Sequence, residues 1–361
     1  MSFKGSQNTS MKILYLYAEL MGYQIPVLRE YVQKYKSDVY VVHKIKGKFT
    51  PYQPPEIKGV HYYDKDSFTR NQLTDFAVNL KPDIVYVSGW MSVYLKTIFI
   101  LRKKGIPVVT GIDDIWFKTI RQRVAEVIFP FIRSFIFSNA WVAGPYQYEF
   151  AKRIGFKNNE IIFNALTADT GLFNKVYLDS IIDKKVNYPH KFLFTGRFEE
   201  IKGVDILIQA WSNIKARGES KDWDLTFIGN GSLYESLSNV SGVKVINFMQ
   251  PDELAIEIKK YGCFVLPSRK EPWALVLHEF AAAWLPIICS DICGASPVFL
   301  VPNYNGYKFR PNDIEDLEKQ MLKIIKASDK KLLTIANKSH NIGQKINPEL
   351  SAASFISILN N

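Results

Sequence analysis

Short apolar segments alternate with segments of helical spacing along most of the chain, and this alternation limits the possible folds more than any other feature. In the first half we predict strands at residues 12–17, 38–43, 83–89, 106–112 and 140–144, with helices at 25–35 and 92–104 among them. The second half repeats the plan, with strands at 191–196, 223–229, 243–248, 263–267 and 286–290 and helices at 204–216, 252–261 and 314–327. Such alternation predicts an α/β fold with two doubly wound, Rossmann-like parallel sheets.

A length of 361 residues suits two domains of this kind. We predict a disordered lead-in at residues 1–10, an N-terminal domain over 11–180 and a C-terminal domain over 181–345. Residues 346–361 are expected to form a helix that returns to the N-terminal domain. The join is assigned to residues 173–190, which are polar, lack a clear strand and end in Tyr-Pro. A cleft between two such domains is the expected ligand site.

Leader, membrane-span and metal signals are weak in this sequence. The first ten residues lack the apolar core of a signal peptide, and no apolar run has the length of a spanning helix. The three cysteines, Cys263, Cys289 and Cys293, suit a reducing compartment and lack zinc spacing. We therefore expect a cytoplasmic protein without a metal site.

The positive charge is concentrated in the first half. The chain carries +11 overall, and residues 1–180 hold 24 Lys and Arg against 15 Asp and Glu. The excess indicates an anionic membrane, a charged lipid-linked acceptor or nucleic acid, although a lysine-rich background explains it equally well. Basic and aromatic residues are mixed in the segment 117–137, but Pro130 interrupts it, which favours packing of two short helices over membrane contact. No nucleic-acid-binding module is recognisable.

The segment 195–208 carries the clearest phosphate-binding pattern. A predicted strand ends at Gly196, Arg197 follows, and Lys202 precedes the next predicted helix. A guanidinium, an ammonium and the positive end of a helix dipole then converge on one place. This context favours a phosphate site over two surface cations beside a turn.

Two glutamates, Glu271 and Glu279, lie eight positions apart on a loop that runs into a predicted helix. Ionised carboxylates accept hydrogen bonds from sugar hydroxyls, so the pair can hold two parts of one extended ligand. Glutamates at this spacing are often solvated helix surface. Predicted strands on both sides favour a ligand site at the carboxyl end of a parallel sheet instead.

Weaker candidates follow other predicted strands. Gly229 and Gly231 permit close backbone approach, although a plain tight turn is an equal reading. Phe248 and Met249 are placed to face a flat base, and Gly22 follows the first strand.

Adjacent acids follow a strand of the first half. Asp113 and Asp114 suit acceptor binding or proton transfer; equally, Asp114 caps the next helix while Asp113 is solvated. For His278, helix packing is favoured over ligand contact.

Together these segments resemble the retaining glycosyltransferases of family 4, the glycogen-synthase-like group with the GT-B fold. The resemblance is specific in the second half, at TGRFEEIKG, FIGNG, INFMQPDEL, LPSRKEPWALVLHEFAAAWLPII and NGYKFRPND, and looser in the first half, at MGY, IPVVTGIDDIWF and NEIIFNALTADTGLF. It implies two Rossmann-like domains facing a central cleft.

The resemblance also implies roles for the site residues. A nucleotide-diphosphate sugar would be the donor, with Arg197 and Lys202 on its diphosphate and Glu279 on the ribose. Glu271 would bind the transferred sugar, and the backbone N–H groups near Leu275 and Val276 the distal phosphate. The cations would take the place of a metal, and anomeric configuration would be retained.

Three residues depart from the family pattern. Ala274 and Trp284 stand where the family often has glycine, and Asp113 stands where its histidine is usual.

We therefore predict a metal-independent retaining hexosyltransferase of cell-surface polysaccharide, lipopolysaccharide or glycolipid biosynthesis. It would act on a glycan or lipid-linked acceptor, at the inner face of the membrane. Two alternatives stay open: an enzyme resembling nucleotide-sugar 2-epimerases, and a non-catalytic sugar-nucleotide-binding subunit of a transferase complex.

Overall fold

The computed structural model describes residues 10–45 and 53–360. The chain divides into two compact units: unit 1 comprises Met1–Leu166 and Pro348–Asn361, and unit 2 comprises Thr167–Asn347. Apart from Ser10, the predicted lead-in at residues 1–10 lies outside the described residues.

Both units are built from parallel strands joined by helices. The strands are β1 Lys12–Leu16, β2 Asp38–His43, β3 Val60–Asp64, β4 Ile84–Val87, β5 Val108–Ile112, β6 Asn139–Val142, β7 Ile161–Ile162, β8 Lys191–Thr195, β9 Asp224–Ile228, β10 Lys244–Ile246, β11 Cys263–Leu266, β12 Ile287–Ser290 and β13 Gly306–Phe309. The helices are α1 Ile25–Gln33, α2 Arg70–Leu80, α3 Leu95–Lys103, α4 Ile120–Ile132, α5 Pro145–Arg153, α6 Thr170–Val186, α7 Val204–Ala216, α8 Tyr234–Ser238, α9 Pro251–Ile258, α10 Leu275–Ala282, α11 Ser296–Phe299, α12 Ile314–Ile325, α13 Asp329–Gly343 and α14 Pro348–Ile356.

Unit 1 contains one parallel sheet in the order β3-β2-β1-β4-β5-β6-β7. Side chains alternate along β1, so that Leu14 and Leu16 enter one apolar core and Ile13 and Tyr15 the other. The second core also contains Phe355 of α14, whose ring lies 5.9 Å from that of Tyr15. The C-terminal helix therefore completes unit 1.

Unit 2 contains a second parallel sheet, in the order β10-β9-β8-β11-β12-β13. Its central strands, β8, β9, β11 and β12, are almost entirely buried, as expected of continuous apolar runs in a parallel sheet covered by helices. In both sheets the strand order reverses beside the first strand, between β1 and β4 in unit 1 and between β8 and β11 in unit 2. The prediction of two Rossmann-like sheets is confirmed.

The structure differs from the sequence prediction at the join. Residues 173–190 were assigned to the connection, but α6 occupies most of them and packs against α9, α10 and α13 of unit 2. The predicted boundary at 180/181 therefore falls inside a helix, and the two units divide at Leu166 and Thr167. Strands β3, β7 and β13 were not predicted.

Candidate functional site

The loop after β8 turns Arg197 outward. Phe198 is fully buried beneath this loop, and its N–H donates to the Asn230 carbonyl at 2.8 Å. The Glu199 carboxylate accepts from the N–H and the hydroxyl of Ser232, at 3.1 and 2.7 Å. Because the neighbours of Arg197 are held in this way, its guanidinium is exposed at the carboxyl edge of the sheet.

Glycine is required where the loops after β8 and β9 meet. A Cβ on Gly229 would lie 1.9 Å from the Gly196 carbonyl oxygen, and one on Gly231 would lie 2.6 Å from that of Phe198. The Gly-x-Gly pattern therefore has a packing role here, since it lets one loop support the other.

A third glycine brings the loops after β8 and β11 together. Gly203 has φ +68°, and a Cβ there would lie 2.1 Å from the Pro267 carbonyl oxygen. The Arg269 guanidinium donates two hydrogen bonds to the Asp205 carboxylate, at 2.7 and 2.6 Å. This pair connects the loop after β11 to the start of α7. The carboxyl ends of β8 and β11, where ligands bind in such sheets, are thus joined rigidly.

Lys202 and Glu271 form an ion pair at this junction. The Lys202 Nζ lies 2.5 Å from Glu271 Oε2, and the Ser268 hydroxyl donates to the same oxygen at 3.3 Å. The Glu271 side chain is only 10% exposed and that of Lys202 18%. Both contacts are made to Oε2. The pair orients both groups at the junction.

Helix α10 starts from a left-handed residue at the same edge. Ala274 has φ 73° and ψ 77°, a conformation that glycine adopts without steric cost. The N–H groups of Leu275 and Val276 then have no carbonyl within the helix to bond, and they form its positive end. An anion is stabilised at such a helix start.

Glu279 lies one turn further along α10. Burial raises its pKa to about 7, and the nearby Asp169 carboxylate contributes to the increase. The carboxyl is therefore partly protonated near neutral pH, unlike a solvated glutamate. A group of this kind can both donate and accept hydrogen bonds at the hydroxyls of a ligand.

His278 is a packing residue, as the sequence favoured. Its Nδ1 accepts from the Ala168 N–H at 3.0 Å, and its Nε2 donates to the Gly343 carbonyl at 2.8 Å. The ring stacks on Phe299, and burial lowers its pKa to about 4. The neutral imidazole therefore links α10 to α13 and to the start of unit 2.

Sequence reasoning missed Thr195, the last residue of β8. Its Oγ1 is buried and has no hydrogen-bond partner among the described residues. A buried hydroxyl without a partner is uncommon, and at the carboxyl end of a strand it indicates a position for a ligand atom. The only sequence signal was a polar residue at the end of an apolar run.

Two predicted site residues, Gly22 and Asp113, lie in unit 1, in the loops after β1 and β5. Asp113 is exposed, and its backbone carbonyl accepts from the Gln147 side chain at 3.2 Å. Asp114 bonds the Ile115 N–H and does not cap α4, because Thr119 occupies that cap.

Three phenols missed at the sequence level lie near enough to Asp113 to respond to its charge. The hydroxyls of Tyr17 and Tyr23 are 3.2 Å apart, and Gln24 donates to Tyr17 at 3.3 Å. Burial raises the pKa of Tyr17, Tyr23 and Tyr86, and the Asp113 charge adds to each increase. These groups lie at the carboxyl edge of the unit 1 sheet, beside its own strand reversal.

The predicted residues therefore fall into separate groups. One set lies on the loops that follow β8 and β11 and on helix α10: Gly196, Arg197, Lys202, Glu271, Ala274, Leu275, Val276 and Glu279. Gly229 and Gly231 support that set from the loop after β9. Phe248 and Met249 follow β10, where the Phe248 side chain is exposed.

A cavity lies at the opposite end of the unit 2 sheet. Its volume is about 290 Å³, and it reaches Lys191, Asp224 and Lys244, at the amino ends of β8, β9 and β10 and so at the opposite edge from the loops above. No three His, Cys, Asp or Glu side chains within residues 10–45 and 53–360 are grouped so as to hold a metal ion. In the same residues no helix combines the length and the apolar character needed to cross a bilayer.

Two Rossmann-like units in one chain, with a basic loop and two glutamates at the strand reversal of the second, define a protein of the GT-B fold class. Comparison with known proteins agrees with this assignment. Residues 180–345 match the family described as Glycosyl transferases group 1.

Curated relatives match shorter stretches of the chain. An uncharacterised glycosyltransferase of Methanocaldococcus jannaschii is 32% identical over 139 residues, which is 37% of either protein. A glycogen synthase of Mycobacterium tuberculosis is 28% identical over 136 residues, 36% of this chain and 32% of that protein. The matched region thus spans about a third of these relatives.

Solved structures match the chain over nearly its whole length. The Anabaena protein Alr3699/HepE, solved in complex with UDP, superposes with a TM-score of 0.74 at 15% identity and covers 97% of this chain and 100% of its own. At this identity the likeness establishes the fold alone.

Proposed function

We propose that the protein is a retaining glycosyltransferase that moves a sugar from a nucleotide-diphosphate sugar to an acceptor. The observation that carries the proposal is the convergence of Arg197, Lys202 and the N-terminal end of α10 at the strand reversal of unit 2. The family match over residues 180–345 and the UDP named with the Anabaena structure support it.

The chemistry requires fixed positive groups at this place. As the glycosidic bond to the donor breaks, negative charge gathers on the leaving diphosphate, and preorganised cations and N–H dipoles lower the barrier. Arg197 is exposed for this role, and Lys202 is held beside it by Glu271. A bound diphosphate would share Lys202 with Glu271, whose Oε1 then takes a hydroxyl of the transferred sugar.

The nucleoside would extend away from these groups. Glu279 would bind the ribose hydroxyls, and Phe248 and Met249 would form a surface for the base at the end of β10. Since the cations already neutralise the diphosphate, the reaction proceeds without a metal ion in this proposal.

The acceptor is proposed to be a glycan or lipid-linked intermediate of cell-surface polysaccharide, lipopolysaccharide or glycolipid biosynthesis. The positive charge concentrated in residues 1–180 supports an anionic acceptor or membrane surface. The protein would act in the cytoplasm, at the inner face of the membrane. Asp113 and the surrounding phenols are the groups of unit 1 with the chemistry to bind a hydroxyl-rich acceptor.

Thermal-shift titrations with UDP, GDP, ADP, CMP and dTDP, and with their sugar conjugates, test the donor site. Ligand at about a hundred times its dissociation constant stabilises the folded state by roughly 2.7 kcal/mol. Arg197→Met and Lys202→Met should each weaken the binding of the preferred nucleotide about tenfold or more, because each removes a cation from the diphosphate. Lys319→Met, which removes an exposed cation from α12, serves as the matched control and should bind normally.

Turnover separates the proposal from its alternatives. Transfer to a glycan acceptor in the presence of a chelator, with a product anomeric proton that keeps the donor configuration, is the expected result. A donor sugar epimerised at C2 would indicate an epimerase instead. Nucleotide binding without turnover, whatever acceptor is supplied, would indicate a non-catalytic subunit.

A further inference from the structure

Helix α4 of unit 1 exposes an unusually apolar face. Ile120 is 83% exposed, Phe131 77% and Val127 67%, and Val124 and Ile128 are each about half exposed. The sequence favoured ordinary packing of this segment, but the described residues of unit 1 leave these side chains uncovered. Large apolar side chains grouped in this way on a surface mark an interaction site.

The exposed residues form one stripe on the helix. At about 100° per residue, Ile120, Val124, Val127, Ile128 and Phe131 project within one side of α4, and we call them the α4 stripe. Gln122 and Phe129 project from the opposite side and are buried. Helix α4 therefore packs on unit 1 with one face and exposes the stripe on the other.

Several contacts hold the inner face of α4 in place. Thr119 and Gln122 form a capping box, and the Gln122 side chain also donates to the Ile115 carbonyl at 2.7 Å. Phe129 stacks on Trp90 with ring centroids 4.2 Å apart. Because these contacts fix the orientation of the helix, the stripe is a permanent feature of the surface.

Arginines lie on both sides of the stripe. On the same helical projection Arg121 flanks one side and Arg123 the other, and neither forms an ion pair with another described residue. The carboxylate of α4, Glu126, is paired with Arg153 at 3.0 Å. The surface is therefore apolar along its centre and cationic along its rims, which matches a bilayer with anionic headgroups.

A second apolar stripe of similar exposure differs in charge. Leu178, Ile182 and Val186 are exposed along α6 of unit 2. Charges of both signs lie on that helix: Asp179, Asp183, Lys175 and Lys185. The rims of the α4 stripe carry only cations, and this contrast favours anionic lipid at α4 over general adhesion of exposed apolar residues.

We propose that the α4 stripe, with Arg121 and Arg123, docks on the surface of an anionic lipid bilayer. The apolar side chains enter the acyl boundary and the guanidiniums meet the phosphates. A second copy of the chain is a poorer occupant, because a symmetric contact would bring the same arginines together. The inference rests on the membrane location in the proposed function and names the surface that would provide it, but its tests need no nucleotide and do not depend on transferase activity.

Site-specific fluorescence gives a direct test on the full chain. The cysteines of the described residues, Cys263, Cys289 and Cys293, are all buried, so a new surface cysteine can be labelled selectively. A polarity-sensitive dye on Phe131→Cys should shift to shorter wavelength with vesicles of mixed phosphatidylglycerol and phosphatidylcholine. The same dye on Ile182→Cys is the matched control and should not shift. Equal behaviour of the two sites would overturn the proposal.

Vesicle co-sedimentation tests the two parts of the surface separately. The double variant Val127→Ser with Phe131→Ser should bind the mixed vesicles about tenfold more weakly, and Arg121→Glu with Arg123→Glu should lose the preference over phosphatidylcholine vesicles. Circular dichroism checks that each variant is folded. Failure of the parent to sediment at low salt would refute the proposal. So would a dimer of the parent, in ultracentrifugation without lipid, that the serine variant abolishes.

Discussion

Replacing Glu279 by glutamine should make the protein more stable at alkaline pH. Burial raises the pKa of this carboxyl from 4.5 to about 7. A group whose pKa is higher in the folded state stabilises the fold in its protonated form. That stabilisation is complete below about pH 4.5 and is lost as the pH rises through 7.

The magnitude follows from the pKa. At about 1.4 kcal/mol for each tenfold change in proton affinity, the increase from 4.5 to about 7 corresponds to at most about 3.5 kcal/mol above pH 8. Glutamine has the same shape and carries no charge, so the variant avoids this loss. It should match the parent near pH 4.5 and exceed it in free energy of unfolding at pH 8.

Two measurements check the result. Urea denaturation between pH 5 and pH 8 compares the free energies of unfolding of the parent and the variant. Because a chain with two units need not unfold in one step, hydrogen exchange of peptides from α10 reports on unit 2 separately. Glu315→Gln, at an exposed position in the first turn of α12, is the control and should parallel the parent. Parallel pH profiles for Glu279→Gln and the parent would refute the reasoning.

Other substitutions have equally definite consequences, each measured by urea denaturation. Ala274→Gly should raise the free energy of unfolding by about 1 kcal/mol, because it removes a left-handed alanine; a destabilised variant would contradict this. His278→Ala should lower it by about 3 kcal/mol, since Ala168 and Gly343 lose their buried partner. The parent should also lose more stability than this variant as the pH falls from about 6.5 towards 4, because burial lowers the pKa of His278 to about 4 in the fold. Phe355→Ala should cost about 3 to 5 kcal/mol and shorten the exchange lifetime of β1 amides, whereas a loss confined to unit 2 would be inconsistent with its place in the unit 1 core.

Much of the fold was predictable because buried parallel strands have a simple sequence pattern. The continuous apolar runs of β8 and β11 identify strands whose faces are both covered. Strands β3 and β7 were not predicted, because β3 contains polar and half-buried residues and β7 has only two residues. The unit boundary was misplaced because α6 has polar residues on most sides and its pattern resembles a linker.

The site was predictable to the level of residue type but not of geometry. Arg197 and the two glutamates were identified by their position after strands. Nothing in the sequence indicates that Lys202 and Glu271 pair with each other, or that Glu279 lies where burial raises its pKa. Those properties depend on contacts between segments far apart in the chain.

Backbone angles explain what is unusual about two of the departures from the family pattern. Ala274 and Trp284, which replace glycines usual in the family, both have positive φ, at 73° and 69°. Glycine is the natural residue at such angles, so this chain tolerates strain at both ends of α10. From the sequence alone, the two residues only departed from a pattern that often has glycine.

The return of α14 to unit 1 has a consequence for biosynthesis. Unit 2 is one continuous segment and can fold as soon as it leaves the ribosome. Unit 1 is interrupted, and its second core lacks Phe355 until the whole of unit 2 has been translated. During that interval the aromatic side chains around Tyr15 remain exposed, so that chaperones can bind them and other chains can aggregate with them. Separate expression of residues 167–347 should therefore succeed more readily than expression of residues 10–166.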